Sequence, residues 1–200
     1  MFRCAAFAML LLCPTVAVAA PADCAASSRA PVKFICEDAT LSALDRESAR
    51  LADLAAAGAQ AAGKKDLLQS EASFRKTLAA CRDAKPCLQR TLIDHIFHLR
   101  QGYSGARAKD AEGISLGPFV GDCPGLDALV SVTFVNSAPA FAFLAWRDKT
   151  AVLTQAVAAS GARYTGPFGT GEAQFWNKGD QATLDLPGRP SLTCRIEQGG

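Results

Sequence analysis

Residues 182–196 read ATLDLPGRPSLTCRI, and this stretch alternates apolar and polar side chains on both sides of a Pro-Gly turn. A period of two predicts strands with one buried and one wet face, and the Pro187-Gly188 pair predicts the turn that joins them. The inward positions are Ala182, Leu184 and Leu186 before the turn, and Leu192, Cys194 and Ile196 after it.

The same period extends through the C-terminal part of the chain. Residues 130–134 alternate in the same way, while residues 141–146 (FAFLAW) are apolar on both faces, as in a more enclosed strand. Turn-forming pairs such as Asn136-Ser137 and Arg147-Asp148 separate the short strands. Residues 119–200 are therefore predicted to form an all-β domain, a small antiparallel barrel of about eight strands.

The preceding part has a helical pattern. Residues 37–101 are rich in alanine and lack β-branched runs, and Leu41, Leu44, Leu51 and Leu54 share one helical face. We expect one helix to end at Gly63, a second over residues 66–80 and a third from residue 86 to 102. This predicts a small all-α domain over residues 21–100, followed by a glycine-rich linker at residues 101–118.

The first 20 residues have the pattern of a secretory signal peptide. Arg3 precedes an apolar run, and Ala17-Val18-Ala19 is a small-residue cleavage site. No other segment has the length of apolar sequence that a membrane span needs. A lipid anchor is less favoured because Leu12 and Asp23, not small residues, precede Cys13 and Cys24. The protein is predicted to be exported to the periplasm.

Removal of the signal peptide takes two of the eight cysteines and leaves an even set of six in an oxidising compartment. Three disulfides are the natural interpretation. Metal binding is less favoured, because the cysteine spacings are wide and only two histidines are present. Four helical-domain cysteines allow three arrangements, of which the pairs close in sequence are favoured, and Cys194 is placed to tie the last strand to the first. The expected pairs are Cys24–Cys36, Cys81–Cys87 and Cys123–Cys194.

Charge and side-chain chemistry exclude several function classes. Loss of Arg3 from the 21 Lys and Arg leaves 20 against 19 Asp and Glu, so nothing favours a nucleic-acid or membrane-surface ligand. His95 and His98 are expected on an ordinary polar helix face. No serine–histidine–acid or cysteine–histidine arrangement is supported, so we expect no catalytic activity, no cofactor and no metal.

Residues 160–179 read SGARYTGPFGTGEAQFWNKG and carry a recognisable motif. They resemble the signature of the MliC/PliC inhibitors of c-type lysozyme, small periplasmic β-barrels of Gram-negative bacteria with Ser-Gly-x-x-Tyr followed by Phe-Trp-x-Lys-Gly. The resemblance implies that the chain blocks a c-type lysozyme and is not itself an enzyme. The segment at residues 167–171 (PFGTG) is longer than the usual connection between the two motifs. The matching residues are Ser160, Gly161, Tyr164, Phe175, Trp176, Lys178 and Gly179.

The resemblance implies that Ser160 and Lys178 reach the two catalytic carboxyl groups of the lysozyme cleft, with Gly161, Tyr164 and Trp176 completing the lysozyme-binding site. A hydroxyl can donate a hydrogen bond to a carboxylate, and an ammonium can donate a charge-assisted one. Local sequence is consistent with this: residues 156–161 are small and lack alternation, which predicts a protruding loop. Residues 177–180 form a turn sequence between two strands, which places Lys178 on a hairpin.

The helical part resembles the LprI-like N-terminal domain through Ile35-Cys36, residues 41–45 (LSALD), Cys81 and Cys87-Leu88. This resemblance implies a fold more than an activity, and leaves the helical part as a second lysozyme contact or only a spacer. The alternative function is a non-inhibitory envelope module for binding or assembly that recognises another protein or a cell-wall fragment. The longer segment at residues 167–171 is the feature that most favours it.

Overall fold

The computed structural model describes Ala22, Cys24, residues 30–107 and residues 112–197. A helical region is followed by a closed barrel of eight antiparallel strands, which confirms the predicted fold class. The predicted signal peptide, residues 1–20, lies outside the described residues. The helices are α1 Val32–Glu37, α2 Ala39–Gly58, α3 Ala61–Ala80 and α4 Lys85–Gly102, followed by a 3₁₀ helix at Ser104–Arg107; the strands are β1 Ser115–Asp122, β2 Val130–Val135, β3 Phe141–Trp146, β4 Lys149–Ala156, β5 Ala162–Phe168, β6 Gly171–Lys178, β7 Gln181–Asp185 and β8 Leu192–Glu197.

Helix α2 begins at a capped N-terminus and buries the predicted leucine face. The Asp38 carboxylate accepts a hydrogen bond from the Leu41 amide at 3.0 Å, and this satisfies one of the free donors of the first turn. Leu41, Leu44 and Leu51 are fully buried, as their helical spacing predicts.

The prediction that Gly63 ends this helix is wrong. Helix α2 ends at Gly58, Ala59 is extended, and Gly63 lies inside α3. The 3₁₀ helix packs directly on the end of α2: a Cβ on Gly105 would lie 2.5 Å from the Leu54 carbonyl oxygen. Helix α2 therefore ends where it contacts a segment about 50 residues later in the chain. The positions of the glycines in the sequence do not predict this contact.

Three disulfides cross-link the part of the chain that the structure describes. Cys24–Cys36 attaches the N-terminal segment to α1, Cys81–Cys87 closes the turn between α3 and α4, and Cys123–Cys194 joins the end of β1 to β8. Their Cα–Cα distances are 5.7, 5.5 and 4.1 Å. These are the pairs that the cysteine spacing and the strand faces favour. In the chain-entropy model, the bond spanning 71 residues stabilises the barrel by roughly 4 kcal/mol.

Each strand of the barrel pairs with the next in sequence, and β1 pairs with β8 to close it. Inward side chains such as Leu153, Phe175 and Leu184 fill the interior. Strand β3 is buried on both faces, as its composition predicts: Ala142 and Leu144 point into the barrel, whereas Phe141 and Phe143 join the core of the helical region.

The helical region and the barrel share a continuous interface. Phe97 of α4 stacks on Phe143 of β3 with ring centroids 4.3 Å apart. The Thr40 hydroxyl donates to the Ala138 carbonyl at 2.6 Å, so the start of α2 holds the loop between β2 and β3. The apolar contact of α4 with β3 explains why neither face of β3 is exposed to solvent.

Residues 101–118, expected to be a linker, contain much regular structure. They include the end of α4, the 3₁₀ helix and the first four residues of β1, with residues 108–111 outside the described part. Two buried charged side chains hold the segment: Arg100 Nε donates to the Gly117 carbonyl at 2.7 Å, and Glu47 accepts from the Ser115 amide at 3.1 Å. Polar glycine-rich sequence is ordered here by partners that lie elsewhere in the chain.

Across the helices that the structure describes, none combines the length and apolar character needed to cross a bilayer.

Candidate functional site

Two predicted site segments lie at the same end of the barrel. The loop 157–161 joins β4 to β5, and the turn 179–180 joins β6 to β7. Strands β5 and β6 are paired so that Ala162 lies opposite Asn177, which brings the two segments side by side. We call this end, formed by residues 136–140, 157–161 and 179–180, the barrel mouth.

Trp176 connects the two segments. Its indole N–H donates to the Ser160 carbonyl at 2.8 Å, and the Lys178 ammonium lies 3.9 Å from the centroid of its ring. The ammonium is within the range of a cation–π interaction. Ser160 and Lys178 are both exposed, so a hydroxyl and a cation are presented together on one surface.

Two glycines make this close approach possible. Gly161 has φ of +68°, and a Cβ there would collide with the Asn177 carbonyl oxygen and lie 2.8 Å from Cγ of Lys178. Gly179 has φ of +69° and completes the β6–β7 turn, where the Asn177 side-chain amide donates to its carbonyl at 3.1 Å. The Ser160 and Lys178 segments are therefore in direct backbone contact.

Tyr164 lies inside the barrel and is only 4% exposed. It pairs across the strands with Phe175, and its ring lies 5.6 Å from that of Phe134. Burial raises the pKa of its phenol, so the group is neutral at physiological pH. Tyr164 also lines a pocket of about 290 Å³ at the barrel mouth, and it supports the loops from below instead of sharing their exposed surface.

The adjacent aromatics Phe175 and Trp176 point to opposite faces, as expected of neighbouring strand residues. Phe175 is buried in the barrel core, and Trp176 is half-buried on the outside. A single outward ring, already occupied by Lys178, is a weak platform for a sugar.

The longer segment at residues 167–171 lies at the other end of the barrel. It forms the turn between β5 and β6, whereas Ser160 and Lys178 lie beyond the opposite ends of these strands. Phe168 packs against Trp146 with ring centroids 5.3 Å apart, and Gly169 has φ of +59°. This segment therefore lies away from the predicted site.

The structure also brings together three polar residues of the helical region. Ser48 Oγ lies 2.7 Å from His95 Nδ1, and Glu71 Oε1 lies 2.8 Å from His95 Nε2, although the latter contact lacks hydrogen-bond geometry. Phe74 stacks on the imidazole at 3.7 Å. These residues link α2, α3 and α4.

The expectation that His95 lies on a polar helix face is wrong, because it is 4% exposed. The signal was present: position 95 follows Leu92 by three residues and precedes Leu99 by four, which places it on the apolar stripe of α4. His98 is exposed, lies 3.4 Å from the Asp94 carboxylate, and has a pKa raised mainly by this carboxylate.

This buried arrangement is suited to holding helices together. Ser48 is 2% exposed and lies in the middle of α2, where backbone N–H groups are used within the helix. Acyl transfer needs donors aimed at a developing oxyanion, and the helical backbone beside Ser48 offers none. Within the described ranges, no group of three or more His, Cys, Asp or Glu side chains is placed to hold a metal ion.

Comparison with known proteins finds one family similarity, in the C-terminal part of the chain. Residues 122–192 match the family model described as MliC, membrane-bound lysozyme-inhibitor of c-type lysozyme. The match covers most of the barrel, including both site segments, and supports a lysozyme-inhibitor role. No curated protein and no solved structure matches the chain. The resemblance of the helical region to the LprI-like domain stays a prediction.

Proposed function

We propose that this protein is a periplasmic inhibitor of c-type lysozyme and that its barrel mouth enters the lysozyme cleft. In this proposal Ser160 and Lys178 bind the two catalytic carboxyl groups. The observation that carries it is the exposed Ser160–Trp176–Lys178 arrangement, which lies on adjoining loops within the residues matched by the inhibitor family.

The barrel mouth and the lysozyme cleft carry complementary chemical groups. A retaining glycosidase holds an acid and a nucleophilic carboxyl group about 5–5.5 Å apart in its cleft. A serine hydroxyl can donate a hydrogen bond to either group, and a lysine ammonium can form a charge-assisted bond with the ionised one. Both carboxyl groups would then be occupied and inaccessible to the polysaccharide.

The local structure lowers the cost of binding. The Ser160 carbonyl is fixed by the Trp176 indole, and the backbone at Gly161 packs on that of Asn177. The Lys178 side chain is held against the Trp176 ring before any partner arrives. Less side-chain and loop entropy is lost when groups are already ordered, which leaves more of the contact energy for affinity.

The disulfides and the family match support the proposed location. Disulfides are stable in oxidising compartments such as the bacterial periplasm, and three are formed among the described residues. Together with the match to an inhibitor family, they suggest an exported protein. The signal-peptide pattern of residues 1–20 supports periplasmic delivery.

We assign the helical region a supporting role. It covers the outer face of β2 and β3 and holds the β2–β3 loop of the barrel mouth through the Thr40–Ala138 hydrogen bond. This makes it a scaffold for one loop of the site. The alternative envelope-module function draws its main support from residues 167–171, which lie at the opposite end of the barrel from Ser160 and Lys178.

The test is the rate at which a c-type lysozyme clears a cell-wall suspension, followed with increasing amounts of the full mature chain. We expect inhibition that weakens as the cell-wall concentration rises, because inhibitor and polysaccharide would compete for one cleft. Clearing at an unchanged rate with excess protein would reject the proposal and favour the non-inhibitory envelope module.

A further inference from the structure

One apolar side chain of the barrel mouth is almost fully exposed. Val157, in the loop 157–161, is 91% exposed. The other large apolar side chains exposed in the described part of the chain range from Phe34 at 37% to Leu129 at 61%. A single exposed apolar residue is ordinary in itself, so its position decides whether it matters.

Val157 occupies the same loop as Ser160, three residues earlier. Strand β4 ends at Ala156 and β5 begins at Ala162, so the loop is short and is held by a strand at each end. Its far side is fixed by the Trp176–Ser160 hydrogen bond and by the contact of Gly161 with Asn177. Only Ala158 and Ala159 separate Val157 from Ser160, so neither intervening side chain is large enough to shield it.

A glycosidase cleft contains a matching feature. Its general acid must stay protonated near neutral pH, and apolar surroundings achieve this because they disfavour the charged form of the carboxyl group. An apolar surface therefore lies beside the acid. The loop 157–161 carries an exposed isopropyl group and an exposed serine within three residues of each other, which complements such a surface and its carboxyl group.

We propose that Val157 is an apolar anchor that packs against this surface of the lysozyme cleft. The inference rests on the proposed function. Burial of an isopropyl group at a contact strengthens binding. Val157 thus acts beside Ser160 and Lys178, which engage the carboxyl groups.

The experiment compares inhibition constants of the full mature chain carrying Val157→Ala, Val157→Thr or no substitution. Val157→Ala removes two methyl groups, and we expect about ten-fold weaker inhibition. Val157→Thr keeps the shape but buries a hydroxyl against an apolar wall, so we expect a loss of similar size. Neither variant should unfold the protein, because Val157 is exposed, and equal thermal midpoints will show this.

The matched control is Leu129→Ala. Leu129 is the next most exposed large apolar side chain, and it lies between β1 and β2 at the end of the barrel opposite the mouth. We expect it to leave the inhibition constant unchanged. If the wild-type chain inhibits lysozyme and both Val157 variants have the same inhibition constant as the wild type, this inference alone is overturned. If the wild-type chain does not inhibit lysozyme, the proposed function is overturned and the inference with it.

Discussion

At the residue scale, the site depends on one aromatic side chain and one glycine. Trp176 bonds to the Ser160 carbonyl with its N–H and supports the Lys178 ammonium with its ring. Gly161 lets the Ser160 loop lie against the Asn177–Lys178 backbone. The relative placement of hydroxyl and ammonium is therefore determined by two residues that need not touch the catalytic carboxyl groups themselves.

Gly161→Ala is expected to weaken inhibition at least ten-fold. The new methyl group collides with the Asn177 carbonyl, and φ of +68° is unfavourable for alanine, so the loop must move. The protein should still fold, with a loss of roughly 1–3 kcal/mol in stability. Inhibition constants and thermal unfolding measure the two effects separately.

Gly169→Ala provides the matched control. Gly169 has φ of +59° but open space around its Cβ position, and it lies in the β5–β6 turn at the other end of the barrel. It should lose stability through backbone strain while keeping full inhibition. Equal inhibition by both variants would show that the Gly161 contact does not position the site.

The sequence predicts the structural positions of some of these residues better than those of others. The loop at Ser160 and the turn at Lys178 follow from small residues and turn chemistry, and both are present. The Trp176 bridge does not follow from the pattern, because it depends on which side chains meet across paired strands. The polarity of His95 suggests an exposed position, whereas its spacing from Leu92 and Leu99 places it on the buried face of α4.

At the element scale, the helices are held by a buried polar cluster. Helix α3 buries only Leu67 and Glu71, so its attachment depends strongly on the contact of Glu71 with His95, on Phe74 and on the Cys81–Cys87 disulfide. An element with so little buried apolar surface is sensitive to the loss of one polar partner.

His95→Ala is expected to destabilise the helical region by about 3–5 kcal/mol. The substitution creates a cavity against Phe74 and removes the hydrogen-bond partner of the buried Ser48 hydroxyl, besides the imidazole next to the Glu71 carboxyl. Denaturant unfolding followed by the helical circular dichroism signal measures the loss. His98→Ala, at an exposed position on the same helix, should change stability by less than about 0.5 kcal/mol; similar losses in both variants would contradict the account.

The pKa of the Glu47 carboxyl group makes the stability of the protein depend on pH. Burial alone would raise the pKa of its carboxyl group, but hydrogen bonds from Arg50 and Ser115 outweigh this and hold the pKa below the ordinary value of 4.5. A lowered folded-state pKa stabilises the protein above the unfolded-state pKa, and this stabilisation is lost as the pH falls through the folded value. The interface between α2 and β1 should therefore weaken in acid, below about pH 4.5.

Urea unfolding midpoints at pH 7 and pH 3 for the wild type and Glu47→Gln test this expectation. The variant should be less stable at pH 7 by about 1.5–3 kcal/mol, since it loses hydrogen bonds to a charged group. The difference between the two proteins should shrink at pH 3. A difference of the same size at both pH values would contradict the assigned role of the Glu47 charge.

At the scale of the whole molecule, the helical region and the barrel form one packed unit. Phe141 and Phe143 of β3 lie in the same core as the leucines of α2 and α4. The sequence predicts two architectures because the period changes from helical to two, and both are present. The sequence does not predict the interface between them. A strand that is apolar on both faces does not show which element covers its outer face. The glycine-rich residues 101–118 resemble a linker, because their contacts with Glu47 and Arg100 are visible only in the structure.

The longer turn at residues 167–171 is understood only at this scale. In the sequence it separates the two halves of the motif and could displace Lys178. In the folded barrel it extends the hairpin at the end opposite the mouth, and the register of β5 and β6 still places Ala162 opposite Asn177. The segment between the motif halves leaves them side by side, because both halves lie beyond the other ends of the same two strands.

The most direct measurement is lysozyme inhibition by the full mature chain carrying Ser160→Ala and Lys178→Ala together. Its matched control carries Ser191→Ala and Lys149→Ala, two exposed residues at the opposite end of the barrel, where Ser191 lies in the β7–β8 loop and Lys149 begins β4. We predict that the control inhibits as strongly as the wild type and that the mouth variant loses inhibition while its thermal midpoint stays unchanged. A folded mouth variant with the wild-type inhibition constant would contradict the account.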